Sequence, residues 1–222
     1  MLAFDHLVIA SKNPEKTFEE AKEKHQWKGA KGGHHEPWGT YNYLSHFRNN
    51  SYIEWIGIED YEKAFTSDNP LIQHLARSID ERDGRPIHFA LRTNDMDAIL
   101  REWETKRVAY SGPFPGSRKK ADGTMLKWRM LFPEGPTVET LLPFLIEWDG
   151  DNQPGDLNDL ESTHVNMGVE SLEKAADLFQ LYYPLGTQQS ESGKIKWQLE
   201  NGSLSLDGRK GIRAEFGGVH LS

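Results

Sequence analysis

The 222-residue chain contains no cysteine, which excludes disulfides, thiol nucleophiles and thiolate metal sites and leaves histidine and carboxylate as its strong metal ligands. It also lacks any long apolar run. The N-terminal stretch Leu2 to Ala10 is broken by Asp5 and His6 and has no basic flank, so it reads as neither a signal peptide nor a membrane span. Cation excess is missing too: 26 Lys and Arg stand against 34 Asp and Glu, a formal charge of −8 spread along the chain. That balance argues against nucleic acid or an anionic membrane surface as the main partner, and simple solubility accounts for it. A cysteine-free chain of this kind is expected in the cytoplasm. Its length allows one large domain or two small ones, with a sizeable core and no need of staples.

What is present is a pattern stated three times. A short apolar run carrying one His is followed by a capping residue and a helical pattern, at Asp5 to Glu19, at Ile87 to Trp103 and at Thr163 to Phe179. Counted from His6, His88 and His164, the residues Asn13, Asp95 and Ser171 all fall at the seventh position on. Each can accept a hydrogen bond from the free N–H groups of a first helical turn, so each unit reads strand, turn, helix. Strand alternation puts His6 on the face opposite Leu7 and Ile9, and His88 opposite Ile87, Phe89 and Leu91. Met96, Ile99, Leu100 and Trp103 recur at helical spacing, a buried stripe rather than a cofactor box.

The turn-rich loop Gly32 to Asn42, with His34, His35, Trp38 and Thr40, is dense in groups that can hydrogen-bond a ligand. Beyond it, Ser51 to Ile58 reads as a strand with a carboxylate in its middle. Glu54 either lines a cavity or is an edge-strand charge that discourages aggregation. Ser67 to Pro70 begins a connecting helix. Pro113 to Asp122 reads as a loop whose Arg118, Lys119 and Lys120 suit an anionic ligand, although basic loops are more often only solvated. Gly150 to Asp156 is polar and reads as a linker.

The end of each unit repeats as well. Ile53-Glu54-Trp55 returns as Ile146-Glu147-Trp148, and the third unit closes on Ala214-Glu215-Phe216. Each unit therefore runs from a first-strand His to a last-strand Glu: 6 to 54, 88 to 147 and 164 to 215.

This order of strand, helix and three strands, with His on the first strand and Glu on the last, resembles the vicinal-oxygen-chelate superfamily of glyoxalases, extradiol dioxygenases, epimerases and antibiotic-resistance proteins. Gly32-Gly33, His35, Gly39-Thr40, Asn42, Tyr52-Ile53-Glu54, Asp122-Gly123-Thr124, Trp128-Arg129 and Pro143 to Trp148 resemble, more narrowly, the glyoxalase-like domain family. The resemblance implies an α+β fold in which paired βαβββ modules, about 1–83 and 84–150, form a curled mixed-sheet cup in a domain spanning 1–150. A third related module occupies 158–222. It also implies that His6, Glu54, His88 and Glu147 sit where the family's metalloenzymes hold a divalent ion, with Zn, Ni, Fe, Mn or Co as candidates. Those four residues are either metal ligands or the polar lining of the cavity. Glu54 and Glu147 are the candidate catalytic bases, and His34, His35, Trp38, Thr40, Asn42 and Arg129 the candidate substrate-binding residues.

Two functions follow from that resemblance. One is a metal-dependent lyase, isomerase or dioxygenase acting on a small substrate with adjacent oxygens; the other is a metal-free small-molecule binding protein of the bleomycin-resistance kind. The third module has no fourth to pair with, so its open edge and concave apolar face are expected to close by homodimerisation, or else by packing on the first two modules of the same chain.

Overall fold

The computed structural model describes residues 1–119, 123–135, 142–150 and 157–222. The chain begins with β1 (Ala3–Ala10), α1 (Pro14–His25), β2 (Ala30–His35), β3 (Thr40–Phe47) and β4 (Ser51–Ile58). Two helices, α2 (Tyr61–Thr66) and α3 (Pro70–Arg82), follow where one was expected. The pattern then repeats as β5 (Arg85–Arg92), α4 (Met96–Lys106), β6 (Tyr110–Lys119), β7 (Met125–Pro133) and β8 (Phe144–Asp149). Asn13 accepts from the Lys16 N–H at 3.1 Å and Asp95 from the Ala98 N–H at 2.8 Å, so both predicted caps start their helices as expected.

Eight strands form one sheet in the order β2-β3-β4-β1-β5-β8-β7-β6. β1 runs parallel to β4 and β5 parallel to β8, while β1 and β5 meet antiparallel. The second half of the order thus mirrors the first, as a pseudo-twofold axis between β1 and β5 requires. The sheet curls until its edges meet: Arg118 on β6 donates to the Gly32 carbonyl on β2 at 2.6 Å. Gly32 permits this edge, because a Cβ there would collide with the Asn42 side chain. The expected paired-module cup is therefore the observed architecture.

One expected loop is a strand. Pro113 and Pro115 lie in β6, at the edge of the sheet, where a missing N–H removes no ladder bond. Gly116 lets this strand lie on the Trp128 indole, since a Cβ would meet the ring. The expected basic loop is only partly described, Lys120 and Asp122 lying outside the described residues, as do residues 151–156 of the expected linker.

The third unit comprises β9 (Ser162–Gly168), α5 (Leu172–Tyr182), β10 (Gln189–Glu191), β11 (Lys194–Leu199), β12 (Gly202–Asp207), β13 (Ile212–Phe216) and β14 (Val219–Leu221), in a sheet ordered β10-β11-β12-β9-β13-β14. Ser171 stands at the N-cap of α5 without a side-chain bond. β12 is parallel to β9 as β4 is to β1, so β12, not the strand of Glu215, ends this βαβββ run. Glu215 lies on β13, antiparallel to β9, in the place β5 takes against β1.

The apolar side of the third unit is covered within the chain, the second of the two expected closures. Phe216 packs on Phe47 with ring centres 4.6 Å apart, and the Trp103 indole N–H donates to the Tyr182 carbonyl at 2.6 Å. Asn49 bridges the carbonyls of Ser162 and Asn201. The apolar core on the convex side of the cup, with Leu7, Ile53, Phe89 and Trp103, is continuous with Phe179, Trp197 and Leu204 of the third unit. Among the described residues no helix is long and apolar enough to cross a membrane.

Candidate functional site

Alternation sends Leu7, Ile9, Phe89 and Leu91 to the convex face, against the helices, and His6 and His88 to the other side. The concave face encloses a cavity of about 50 Å³ walled by His6, His35, Trp38, Asn42, His46, Tyr52, Glu54, Asn69, Arg118, Phe144 and three further aromatic or aliphatic groups from β7 and β8, Trp128, Ile146 and Trp148.

At its floor is a chain of polar contacts. Asp5 occupies an irregularity in the β1–β5 register, between Phe4 and His6, so its side chain escapes the strict alternation that would have sent it away from His6. Its Oδ1 lies 2.7 Å from His6 Nδ1, and its Oδ2 accepts from Arg92 and from the Trp148 indole N–H, each at 3.1 Å. Burial by itself would raise the Asp5 carboxyl, but its bond and charge interaction with His6, helped by Arg92 and Trp148, outweigh burial and hold its pKa below the ordinary value. An ionised Asp5 favours the His6 tautomer with the proton on Nδ1. His6 Nε2 is then turned to Glu54, whose Oε2 is 3.6 Å away, while Asn42 donates to Glu54 Oε1 at 2.5 Å.

Aromatic rings hold this chain in place. The His6 ring stacks on Tyr52 at 4.4 Å, and Tyr52 stacks on His46 at 4.9 Å. Burial, with Arg118 nearby, pushes the His46 imidazole down to about 4, so it is neutral near pH 7. His35 is lowered mainly by burial and is tied through Nδ1 to Thr40 at 3.0 Å. Burial raises the Tyr52 hydroxyl well above its usual value, with Asp5 and Glu54 acting in the same direction.

The four expected metal ligands do not converge. The register explains why: the residue two beyond each first-strand His pairs with Glu54 on β4, with Phe144 on β8 and with Ser205 on β12. Glu147 is an odd number of residues past Phe144 and so points to the other face. There its Oε1 accepts from the Met96 N–H at 2.9 Å, at the start of α4, and its Oε2 is held by Arg129. His88 is not a cavity wall. Its ring packs edge-on to Phe144 at 5.2 Å, its Nδ1 accepts from the Phe89 N–H, and burial pushes its pKa to about 3. Among the described residues no group of three or more His, Cys, Asp or Glu is placed to share a metal ion. The donor set present, His6 with Glu54, does not fit the four-ligand centre.

Of the expected substrate-binding residues, His35, Trp38 and Asn42 line the cavity. Thr40 stands behind His35 as its hydrogen-bond partner. His34 is half-exposed and paired with Glu59 at 2.6 Å, outside the cavity wall. Arg129 is on the outer face with Glu147 and Asp97, the latter 2.8 Å away. His164 hydrogen-bonds Ser203 and Ser205 through its two ring nitrogens, at 2.8 Å each, in the separate sheet of the third unit. Sequence reasoning leaves Asp5, His46, Tyr52, Asn69 and Phe144 unassigned and puts Arg118 in a basic loop, suited to an anionic ligand but more often only solvated. Alternation alone would have found Tyr52, which shares a strand face with Glu54. No sequence signal marks the displacement that turns Asp5 inward.

Comparison with known proteins adds the following. The profile of a family described as "Glyoxalase-like domain" matches residues 4–178. A hypothetical protein from Staphylococcus aureus shares the fold at a TM-score of 0.78 and 17% identity, covering 93% of this chain and 86% of that one. Methylmalonyl-CoA epimerase from Mycobacterium tuberculosis aligns over 65% of this chain and 86% of its own, with 18% identity and a TM-score of 0.47. A Streptomyces coelicolor methylmalonyl-CoA epimerase in complex with 2-nitronate-propionyl-CoA aligns over 66% and 97%, with 17% identity and a TM-score of 0.48. No curated protein matches the chain.

Proposed function

Since the chain belongs to the glyoxalase-like domain family, we propose that its cup is an acid–base site for a small oxygen-bearing molecule, in which Glu54 and His6 move a proton without a metal held by the four expected ligands. Among the reactions of the family resemblance, proton-transfer isomerisation or elimination is the kind for which this chain supplies the groups itself. The observation that carries the reading is the buried sequence of contacts from Asp5 through His6 to Glu54 and Asn42 at the floor of the cavity.

In the proposed step the Glu54 carboxylate takes a proton from a carbon next to a carbonyl. The electron pair of that C–H bond moves to form an enolate, and the proton returns from Glu54, directly or after passing to His6 Nε2, to complete an isomerisation. Asn42 holds the Glu54 carboxylate by one oxygen, which leaves the other oxygen for the substrate. Asp5 fixes the His6 ring, so that Nε2 is the nitrogen that exchanges protons with the site. The partner that this reading needs is a small molecule; it needs no second copy of the chain.

The test is deuterium incorporation at carbon, followed by proton NMR, with small α-carbonyl compounds in heavy water. Glu54→Gln is expected to slow exchange by about 10²- to 10⁴-fold, the usual contribution of a positioned general base, while the folded protein persists. Exchange that survives Glu54→Gln unchanged overturns the assignment. Exchange that vanishes on chelation and returns with added metal favours metal-dependent chemistry instead. Saturable binding with no exchange supports the sequestration alternative.

A further inference from the structure

The insertion between the two modules closes the cup with the start of a helix. α3 is 13 residues long, and Asn69, Leu71 and Ile72 at its N-terminal end all line the cavity. Asn69 is the cap: its Oδ1 accepts from the Leu71 N–H at 3.0 Å, and its carbonyl accepts from the Gln73 N–H at 3.0 Å. Its Nδ2 is buried and has no hydrogen-bond partner among the described residues. A buried donor left unpaired costs about 1–3 kcal/mol, and this one stands at the positive end of the α3 dipole, which favours negative charge, while Pro70 has no N–H and the Leu71 N–H is taken by Asn69 itself. Arg118 lines the same cavity from β6. Its Nη1 donates to the Gly32 carbonyl at 2.6 Å, and a guanidinium carries five N–H donors. Against these donors the cavity wall carries, among the described residues, one carboxylate, Glu54, already bonded to Asn42.

A ligand that suits both kinds of wall carries an anionic acceptor and an acidic hydrogen in one small body. We infer that the cup takes small carbonyl acids, the carboxylate being received by the Asn69 amide, the start of α3 and the Arg118 guanidinium while the acidic C–H meets Glu54. This inference rests on the proton-transfer reading above for the role of Glu54, but the anion subsite is separable from it.

Pyruvate and butane-2,3-dione make the test, because they are near-isosteres that differ in carrying a carboxylate or a methyl ketone. Trp38, Trp128 and Trp148 line the cavity, so intrinsic fluorescence reports binding. The wild-type chain is expected to bind pyruvate at least about tenfold more tightly than the dione. Asn69→Asp keeps the cap, since Asp and Asn cap helices about equally well, but replaces the free donor with a like charge. It is expected to weaken pyruvate at least about tenfold, leave the dione unchanged and leave the melting temperature within a few degrees of wild type. Arg118→Ala is expected to weaken pyruvate in the same direction.

Equal binding of the two compounds by wild type, pyruvate binding untouched by Asn69→Asp, or no saturation by pyruvate overturns the inference. Glu54→Gln separates the two readings, since it removes a negative charge and is expected to hold pyruvate at least as tightly while losing deuterium exchange at the methyl group. Tight, Asn69-dependent pyruvate binding in a wild-type chain that exchanges no deuterium supports the anion subsite and removes the proton-transfer reading alone.

Discussion

Replacing Asp5 with Ala is the sharpest stability test, because this side chain is fully buried and serves three donors at once. Its removal strands the His6 imidazole, the Trp148 indole N–H and one bond of Arg92. Each buried polar group left unpaired costs about 1–3 kcal/mol. Arg92 falls at the low end of that range, since it retains a 2.6 Å bond to the Asn50 carbonyl. The total is about 3–7 kcal/mol, overlapping the range of about 3–5 kcal/mol for breaking one partner out of a buried ion pair. Asp5→Asn keeps the shape and one acceptor and loses only the charge, so about 1–3 kcal/mol is expected. Urea unfolding at pH 7, followed by tryptophan fluorescence, measures both variants against wild type. The acid limb gives a second readout. The folded pKa of Asp5 lies below its ordinary 3.8, so its stabilisation is complete above that value and is lost as pH falls through the folded pKa. Asp5→Asn is expected to flatten that limb. An Asp5→Ala variant within about 1 kcal/mol of wild type would refute the account of the floor.

Glu147→Gln is expected to lower stability by only about 1 kcal/mol, because the Arg129 pair is partly exposed and the start of α4 keeps its Asp95 cap. Ligand binding and exchange in the cup are expected to be unchanged; a loss of exchange matching that of Glu54→Gln would contradict the outward placement of this residue. The depressed histidines predict a second pH dependence. His88 and His46 fold as neutral rings with pKa values of about 3 and about 4. The unfolded chain therefore binds more protons below about 6.5, so stability is full above that pH and declines as it falls, by up to about 1.4 kcal/mol per pH unit for each ring. Urea unfolding from pH 7 to 5 should show the decline and His88→Gln should lessen it, whereas a flat wild-type profile speaks against both buried neutral rings.

The sequence carried the modular repeat, two of its three helix caps and the parity that puts His6 and His88 opposite Leu7 and Phe89, because each depends on local periodicity and hydrogen bonding along one segment. What it did not carry depends on pairing between segments. Glu147 looks like Glu54 when neighbours are compared, Ile-Glu-Trp in both, yet the register of β8 against β5 puts Phe144 in the matching place. A shift of one residue exchanges the two faces of a strand, and nothing local in Leu145 to Trp148 fixes that register. Pro113 and Pro115 argued for a loop because a central strand excludes them; at an edge the objection disappears, and with it Arg118 moves from solvent to the cavity wall. Glu215 repeats the last-strand position of Glu54 and Glu147 in the sequence, whereas the partner of β9 that ends the unit is β12, which carries Ser203 and Ser205.

These differences of register also bear on the proposal that acid–base chemistry belongs to the first module alone. In the first module the paired position is Glu54, and its His is polarised by Asp5. The second has Phe144 there, and His88 is left neutral in an apolar setting; in the third, Ser205 and Ser203 satisfy both nitrogens of His164. A second carboxylate at Phe144, on the wall shared with Glu54, would set two like charges in one small cavity. Such a pair tends to share one proton, and the single carboxylate base of the proposed step would be lost. With Phe144 instead, the cup keeps one carboxylate held by Asn42, a dry aromatic wall beside it, and donors on α3 and β6 to receive whatever charge a ligand brings. The symmetry of the backbone builds the container, and the departure from symmetry in the side chains sets which module lines it with polar groups.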